Sequence, residues 1–222
     1  MPSAASTVSS ITARSSFVIL VLCLSVLAAV PARAASAASP TIVVLGDSLS
    51  AAYGIRVEQG WVSLLQARLR AKGYGHRVIN ASSSGETTGG ALARLPRVLA
   101  MHRPAVVVVE LGANDGLRGL PIADIRSNLE SIIQLSQQAG ARILLVGMHI
   151  PPNYGPSYTR QFHELFGELG RKHRLARVPF LLEDVALDEG YMQDDGLHPT
   201  AAAQPLLLAE IWPRLEPLLR RK

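Results

Sequence analysis

Short apolar runs rich in Val and Ile punctuate the chain at Thr41 to Leu45, Arg77 to Ala81, Ala105 to Leu111, Arg142 to Met148 and Val178 to Leu182. They are too short for helices and show no polar alternation, which is the pattern of strands buried on both faces. Between and after them, apolar residues recur at helical spacing over Trp61 to Lys72, Thr88 to Met101, Ile122 to Ala139, Thr159 to His173 and Thr200 to Leu219. Alternating buried strands and helices predict an α/β fold, with a five-stranded parallel sheet covered on both faces. Ligands of such sheets gather at the carboxyl ends of the strands, beside the point where the strand order reverses.

The punctuation sharpens this plan. Ile122-Ala123-Asp124 opens a stripe of Ile125, Leu129, Ile132, Ile133 and Leu135, and Gly140 then supplies a left-handed helix stop. Pro205, Pro213 and Pro217 interrupt the last helical stretch, which is therefore expected to be kinked or broken. No repeat or linker follows Pro40.

The first residues follow a different pattern. Met1 to Ser16 is rich in Ser, Thr and Ala with Arg14 as its only charge, Phe17 to Val30 is apolar, and Pro31-Ala32-Arg33-Ala34 supplies small residues. This is the layout of a secretory signal peptide, residues 1–34, with Ala37 as an alternative end. The apolar run is short of the roughly 20 residues that span a bilayer, so no retained membrane anchor is expected. Cys23, the only cysteine, lies inside that run, so processing removes every thiol and with it disulfides, thiolate metal sites and cysteine nucleophiles. Leu20-Val21-Leu22 lacks the small residues expected before a lipidated cysteine. A periplasmic or secreted location follows.

The whole chain has 222 residues and is 48% apolar, enough for one good core, and residues 35–222 are expected to form a single domain. The formal charge of +5 is spread out, with no basic run beyond Arg220-Arg221-Lys222, which argues against a nucleic-acid partner.

Polar residues cluster where the predicted strands end. The first strand runs into Gly46-Asp47-Ser48-Leu49-Ser50, placing Ser48 at a strand-to-helix turn, either as a helix N-cap or as an exposed nucleophile. The Gly-x-Ser-x-Gly elbow is absent, because Ser50 takes the place of the second glycine. After the second strand comes the small-residue loop Asn80 to Gly90, which fits a simple turn or backbone donors for an anion but carries no phosphate-loop signature. The third strand ends in Glu110-Leu111-Gly112-Ala113-Asn114-Asp115-Gly116, a turn whose Asn114 amide is also suited to an oxyanion. Met192 to Pro199 brings Asp195 and His198 three residues apart, either as a turn with a helix-capping aspartate or as the pair that fixes an imidazole tautomer for proton transfer from serine. A metal site from Asp194, Asp195 and His198 lacks a second His or Cys cluster to complete it. A hydroxyl, amide and backbone donors, and an Asp/His pair together make up the parts of an acyl-transfer site.

The blocks Leu45-Gly46-Asp47-Ser48-Leu49-Ser50, Asn80 to Gly85, Val109 to Gly119 and Met192 to Pro199 resemble those of the SGNH/GDSL hydrolase superfamily. Within it the chain is similar to the periplasmic thioesterase, lysophospholipase and arylesterase branch, over about Ile42 to Pro217. The resemblance implies a flavodoxin-like three-layer α/β/α sandwich with a shallow, open site. It implies Ser48 as nucleophile, His198 as general base and then acid, Asp195 as its orienter, and an oxyanion hole from the Ser48 and Gly85 N–H groups and the Asn114 side chain. The expected substrates are small acyl esters or thioesters, with no metal or organic cofactor; a carbohydrate acetylesterase or a non-catalytic anion-binding module is the alternative. Ala113 stands where relatives often carry a second glycine. Ile150, Tyr154 and Tyr158, after the fourth strand, are expected to border the site and offer apolar surface to an acyl chain.

Overall fold

A computed structural model describes residues 39–220, and the expected leader, 1–34 or 1–37, lies outside them. Strands β1 (Thr41–Gly46), β2 (Arg77–Asn80), β3 (Val106–Glu110), β4 (Arg142–Val146) and β5 (Ala176–Val178) form one parallel sheet in the order β2-β1-β3-β4-β5. Every residue of β1 and β3 is buried, which is why neither strand shows polar alternation.

The helices are α1 (Ser48–Ala51), α2 (Trp61–Ala71), α3 (Thr88–His102), α4 (Ala113–Leu117), α5 (Ile122–Gln138), α6 (Pro156–Lys172) and α7 (Gln204–Leu215). α2 packs against α7, while α3 packs against α5 and α5 against α6. Right-handed crossovers from β1 to β2 and from β2 to β3 run in opposite directions along the sheet and so put these two groups on opposite faces. The result is a three-layer α/β/α sandwich with the flavodoxin-like strand order. Trp61, Phe162, Phe166, Leu65, Leu95 and Ile132 are among the large side chains that fill the two interfaces.

The reversal of strand order lies between β1 and β3. Chain leaving β1 turns toward β2, chain leaving β3 turns toward β4, and a crevice opens between the two exits. α1 and α4 sit at those exits. Each is only about one turn long, too short to produce a hydrophobic period, so neither is visible as a helix in the sequence pattern.

Two elements begin or end away from the expectation. β5 occupies Ala176–Val178 rather than Val178 to Leu182, because Pro179 has no N–H with which to extend the ladder. α6 begins at Pro156, three residues before Thr159, with Pro156 at the first helical position and Gly155 (φ +89°) turning the chain into it. The last stretch is broken as its prolines foretold. A 3₁₀ turn at Ala201–Ala203 leads into α7, and a second at Glu216–Leu218 contains Pro217. α5 ends as expected at a left-handed Gly140 (φ +81°).

Gly147, just after β4, has no room for a side chain. Its N–H donates to the Val178 carbonyl at 2.9 Å, and a Cβ there would lie 2.1 Å from the Pro179 carbonyl oxygen. Gly147→Ala must push the β5 exit away from β4. The expected loss is ~1–3 kcal/mol, as for other overpacking substitutions, measurable as a lower denaturation midpoint at unchanged m-value.

Candidate active site

Ser48 is the first residue of α1, half-buried at the exit of β1. Asp47 caps that helix, its Oδ1 accepting the Leu49 N–H at 3.0 Å. His198 reaches Ser48 from 150 residues along the chain, with Nε2 2.9 Å from Oγ. The other ring nitrogen, Nδ1, is 2.6 Å from Asp195 Oδ2. Burial pushes the Asp195 carboxyl upward, but bonds from the His198 ring and from the Leu197 and His198 N–H groups outweigh it and hold the pKa at about 2. Asp195 is therefore ionised at neutral pH and can only accept, so Nδ1 carries the proton and Nε2 is free to accept from Ser48.

The loop that carries this pair is tied back to the body of the protein. Met192 and Pro199 form an antiparallel bridge that closes its base. The Gln193 N–H donates to the His198 carbonyl at 2.7 Å, and its side-chain amide donates to the carbonyls of Tyr53 at 2.9 Å and Pro199 at 3.0 Å. The Tyr53 ring lies against the imidazole, with centroids 4.4 Å apart. Sequence reading missed Gln193 and Tyr53. Gln193 lies inside a recognised block, but its long-range partner cannot be read from spacing.

Across the crevice, Asn114 in α4 donates from Nδ2 to Asp47 Oδ2 at 3.1 Å. That bond fixes the amide beside Ser48 and leaves a second amide hydrogen unspent. Asp47 in turn rests on Glu110, the last residue of β3, whose Oε2 accepts the Asp47 N–H at 3.3 Å and the Ser50 hydroxyl at 2.5 Å. Gly85 adopts φ +77° in the loop after β2, and its carbonyl accepts from Arg118 at 3.0 Å. Asp115 anchors the end of that loop through the N–H and hydroxyl of Thr88.

A cavity of about 610 Å³ opens beside Ser48. Its walls include Ser48, Asn114 and His198 at one end and Leu117, Met148, Ile150, Leu182, Ala186 and Leu187 further along. His149 faces the same space, stacked on His163 with centroids 3.7 Å apart and edge-on to Phe180. Burial, and the neighbouring His163, push the His149 pKa down.

Known proteins resemble this chain in sequence and fold. Residues 44–205 fit the model of the GDSL-like lipase/acylhydrolase family. Esterase TesA of Pseudomonas aeruginosa is 52% identical over 183 residues, covering 82% of this chain and 91% of that protein. The thioesterase 1/protease 1/lysophospholipase L1 of Escherichia coli K12 is 40% identical, covering 83% of this chain and 87% of its own length. The crystal structure of a psychrotrophic esterase EstA from Pseudoalteromonas, inhibited by monoethylphosphonate, superposes with a TM-score of 0.77 at 44% identity, over 82% of this chain and 99% of that one. The chain belongs to the GDSL-like lipase/acylhydrolase family.

For this GDSL hydrolase, Ile150 lies on the cavity wall but Tyr154 and Tyr158 do not. Their expected place in the groove is corrected by their hydroxyls. Tyr154 donates to the carbonyl of Leu117, the last residue of α4, at 2.7 Å, and Tyr158 to the Leu120 carbonyl just beyond it at 2.6 Å. Pro152–Tyr154 forms a 3₁₀ turn before α6 begins. Leu182, Ala186 and Leu187 add to the apolar wall beside Leu117, Met148 and Ile150, and only Leu182 fell within the expected fifth strand.

Tyr154→Phe and Tyr158→Phe each remove one hydroxyl that fastens the loop, leaving a carbonyl short of a donor. A stability loss of about 1 kcal/mol is expected for each, the usual net worth of such a bond. Denaturant unfolding of the two variants measures it.

Proposed function

We propose that this GDSL hydrolase cleaves carboxylic esters and acyl thioesters through an acyl-enzyme on Ser48. The observation that carries the reading is the continuous chain from Ser48 Oγ through His198 to Asp195, at 2.9 Å and 2.6 Å. In this scheme Ser48 Oγ attacks the carbonyl carbon while His198 Nε2 takes its proton. Ionised Asp195 stabilises the imidazolium, and the tetrahedral oxyanion accepts hydrogen bonds from the Ser48 and Gly85 N–H groups and the Asn114 amide. Collapse of this intermediate breaks the bond to the alcohol or thiol, which leaves with the proton from His198. Water, deprotonated by the same imidazole, then attacks the acyl-enzyme, and the acid departs as Ser48 recovers its proton.

The apolar cavity beside Ser48 takes the acyl group. At about 610 Å³, walled by Leu117, Met148, Ile150 and Leu182, it has more apolar surface than an acetyl group needs, which favours longer acyl chains. The names of the relatives, an esterase and a thioesterase with lysophospholipase activity, support the same substrate class. Residues 1–34 or 1–37 act as an export leader, so that residues after it work as one domain in the periplasm or outside the cell. Among the described residues no helix is long and apolar enough to cross a membrane.

A fluorophosphonate probe is expected to label the protein once, at Ser48, since an activated serine attacks phosphorus as it attacks an ester. Labelling that persists in Ser48→Ala, or an adduct mapped to Ser50 or Ser84, would remove Ser48 from this role. Asn114→Ala should lower kcat by ~10²–10³-fold with KM little changed, because an oxyanion donor acts mainly in the transition state. An unaltered kcat in the folded variant would leave Asn114 as a turn residue only.

A further inference from the structure

We infer that Glu110 is a positioning residue held as a neutral acid beneath the Ser48 turn, sharing its proton with Asp47 so that an ionised Asp47 can hold the Asn114 amide. The inference deepens the acyl-enzyme reading and rests on it for its catalytic consequence.

Glu110 pairs in register with Gly46 across β3 and β1, directly under the turn that presents Ser48. Its side chain is completely buried. Oε2 accepts from the Ser50 hydroxyl at 2.5 Å and from the Asp47 N–H at 3.3 Å, whereas buried Oε1 has no donor facing it. The carboxyl fills the space over Gly46, where a Cβ would lie 2.6 Å from Oε2 and 2.8 Å from Ser50. A side chain on Gly46 and this carboxyl cannot coexist.

Asp47 is equally buried and within hydrogen-bonding reach of Glu110. Neither takes part in an ion pair among the described residues. Two buried carboxyls in contact without a cation do not both ionise, and the pair holds one proton between them. The surroundings decide which partner keeps it. Asp47 has the Leu49 N–H on Oδ1, the Asn114 amide on Oδ2 and the His198 ring nearby, all of which favour its anion. Glu110 faces only Asp47 and Ser50, with Oε1 short of a donor. Burial raises both acids, Asp47 to about 6 and Glu110 well above the ordinary carboxylate range. Near neutral pH the charge therefore sits on Asp47 and the proton on Glu110.

The arrangement has a functional consequence. Ionised Asp47 grips the Asn114 amide and directs its remaining hydrogen. When Glu110 loses its proton, two buried carboxylates face each other, and their repulsion displaces Asp47 and the amide it holds. Activity should then fall on the alkaline side through the oxyanion site.

Glutamine is the right substitute for testing this, because its carbonyl can accept from Ser50 and Asp47 N–H while its amide donates where the acid O–H did. The first measurement is infrared difference spectroscopy of wild type against Glu110→Gln at neutral pH. A protonated-carboxyl C=O band present in wild type and lost in the variant is expected, and its absence overturns the inference without reference to turnover. The second is kinetics on a soluble ester. Glu110→Leu should lower kcat about 10- to 100-fold with KM nearly unchanged, the scale of a misplaced catalytic contact. Glu110→Gln should recover most of that kcat and hold it to higher pH than wild type. In an Asn114→Ala background Glu110→Leu should cost little more, since both act through one amide. Equal losses in Gln and Leu variants, or additive losses with Asn114→Ala, overturn the positioning role. Failure of Ser48 labelling would defeat the acyl-enzyme reading and leave the infrared result standing as a separate test.

Discussion

A parallel sheet sends every strand out at the same edge, and the site depends on that constraint. β1 and β3 are hydrogen-bonded neighbours, so the residues that follow them start within a few ångströms of each other. The chain then departs in opposite directions, which leaves a crevice that no crossover helix covers. Ser48 stands on one side of it and Asn114 on the other. Only the loop before α7 must travel to reach them, and the bonds of Gln193 to Tyr53 and Pro199 hold that loop in place. Rigid strand ends supply Ser48 and the Asn114 amide, while a braced loop supplies the His198 imidazole.

The same edge also stores an electrostatic cost. Asp47 and Glu110 are buried acids whose folded pKa values are raised, so each disfavours the folded state where it is forced to ionise. Asp47 shifts from an ordinary 3.8 to about 6. As pH falls from about 6 to 3.8, the folded chain binds a proton that the unfolded chain does not, and this group's penalty is relieved. Asp195 has the opposite sign. Its folded pKa of about 2 makes its contribution present above the unfolded value and lost as pH falls through the folded one, though partial exposure and solvent screening keep it small. The turn around Ser48 is thus less stable than an apolar turn of the same shape, and the compensating gain is a fixed acceptor for the Asn114 amide.

The cavity beside Ser48 shows where local pattern and tertiary placement part company. Ile150, Tyr154 and Tyr158 all follow β4 and all carry apolar surface, yet only Ile150 reaches the cavity. Tyr154 lies in a 3₁₀ turn and Tyr158 in a proline-started helix, and their hydroxyls bond carbonyls at the end of α4 and just after it. Leu187 is 99% exposed at the cavity edge, an arrangement that nothing in its immediate sequence distinguishes from an ordinary loop leucine.

What the sequence alone determined is whatever depends on contiguous residues. Runs such as Thr41 to Leu45 and Ala105 to Leu111 read as buried strands, four of the five helical spacings as crossovers between them, and Asp195 and His198 stand three residues apart. The tertiary structure decided everything that rests on pairs far apart in the chain. The 2.9 Å approach of His198 to Ser48, the Glu110 contact with Ser50 and the Gln193 bond to Tyr53 join residues separated by 150, 60 and 140 positions. Glu110 in particular is, in sequence, one charged residue within the otherwise apolar run Ala105 to Leu111, with no partner visible. Its burial follows from Gly46 leaving room for the carboxyl and from Ser50 turning its hydroxyl inward, and neither fact exists until β1 and β3 lie side by side.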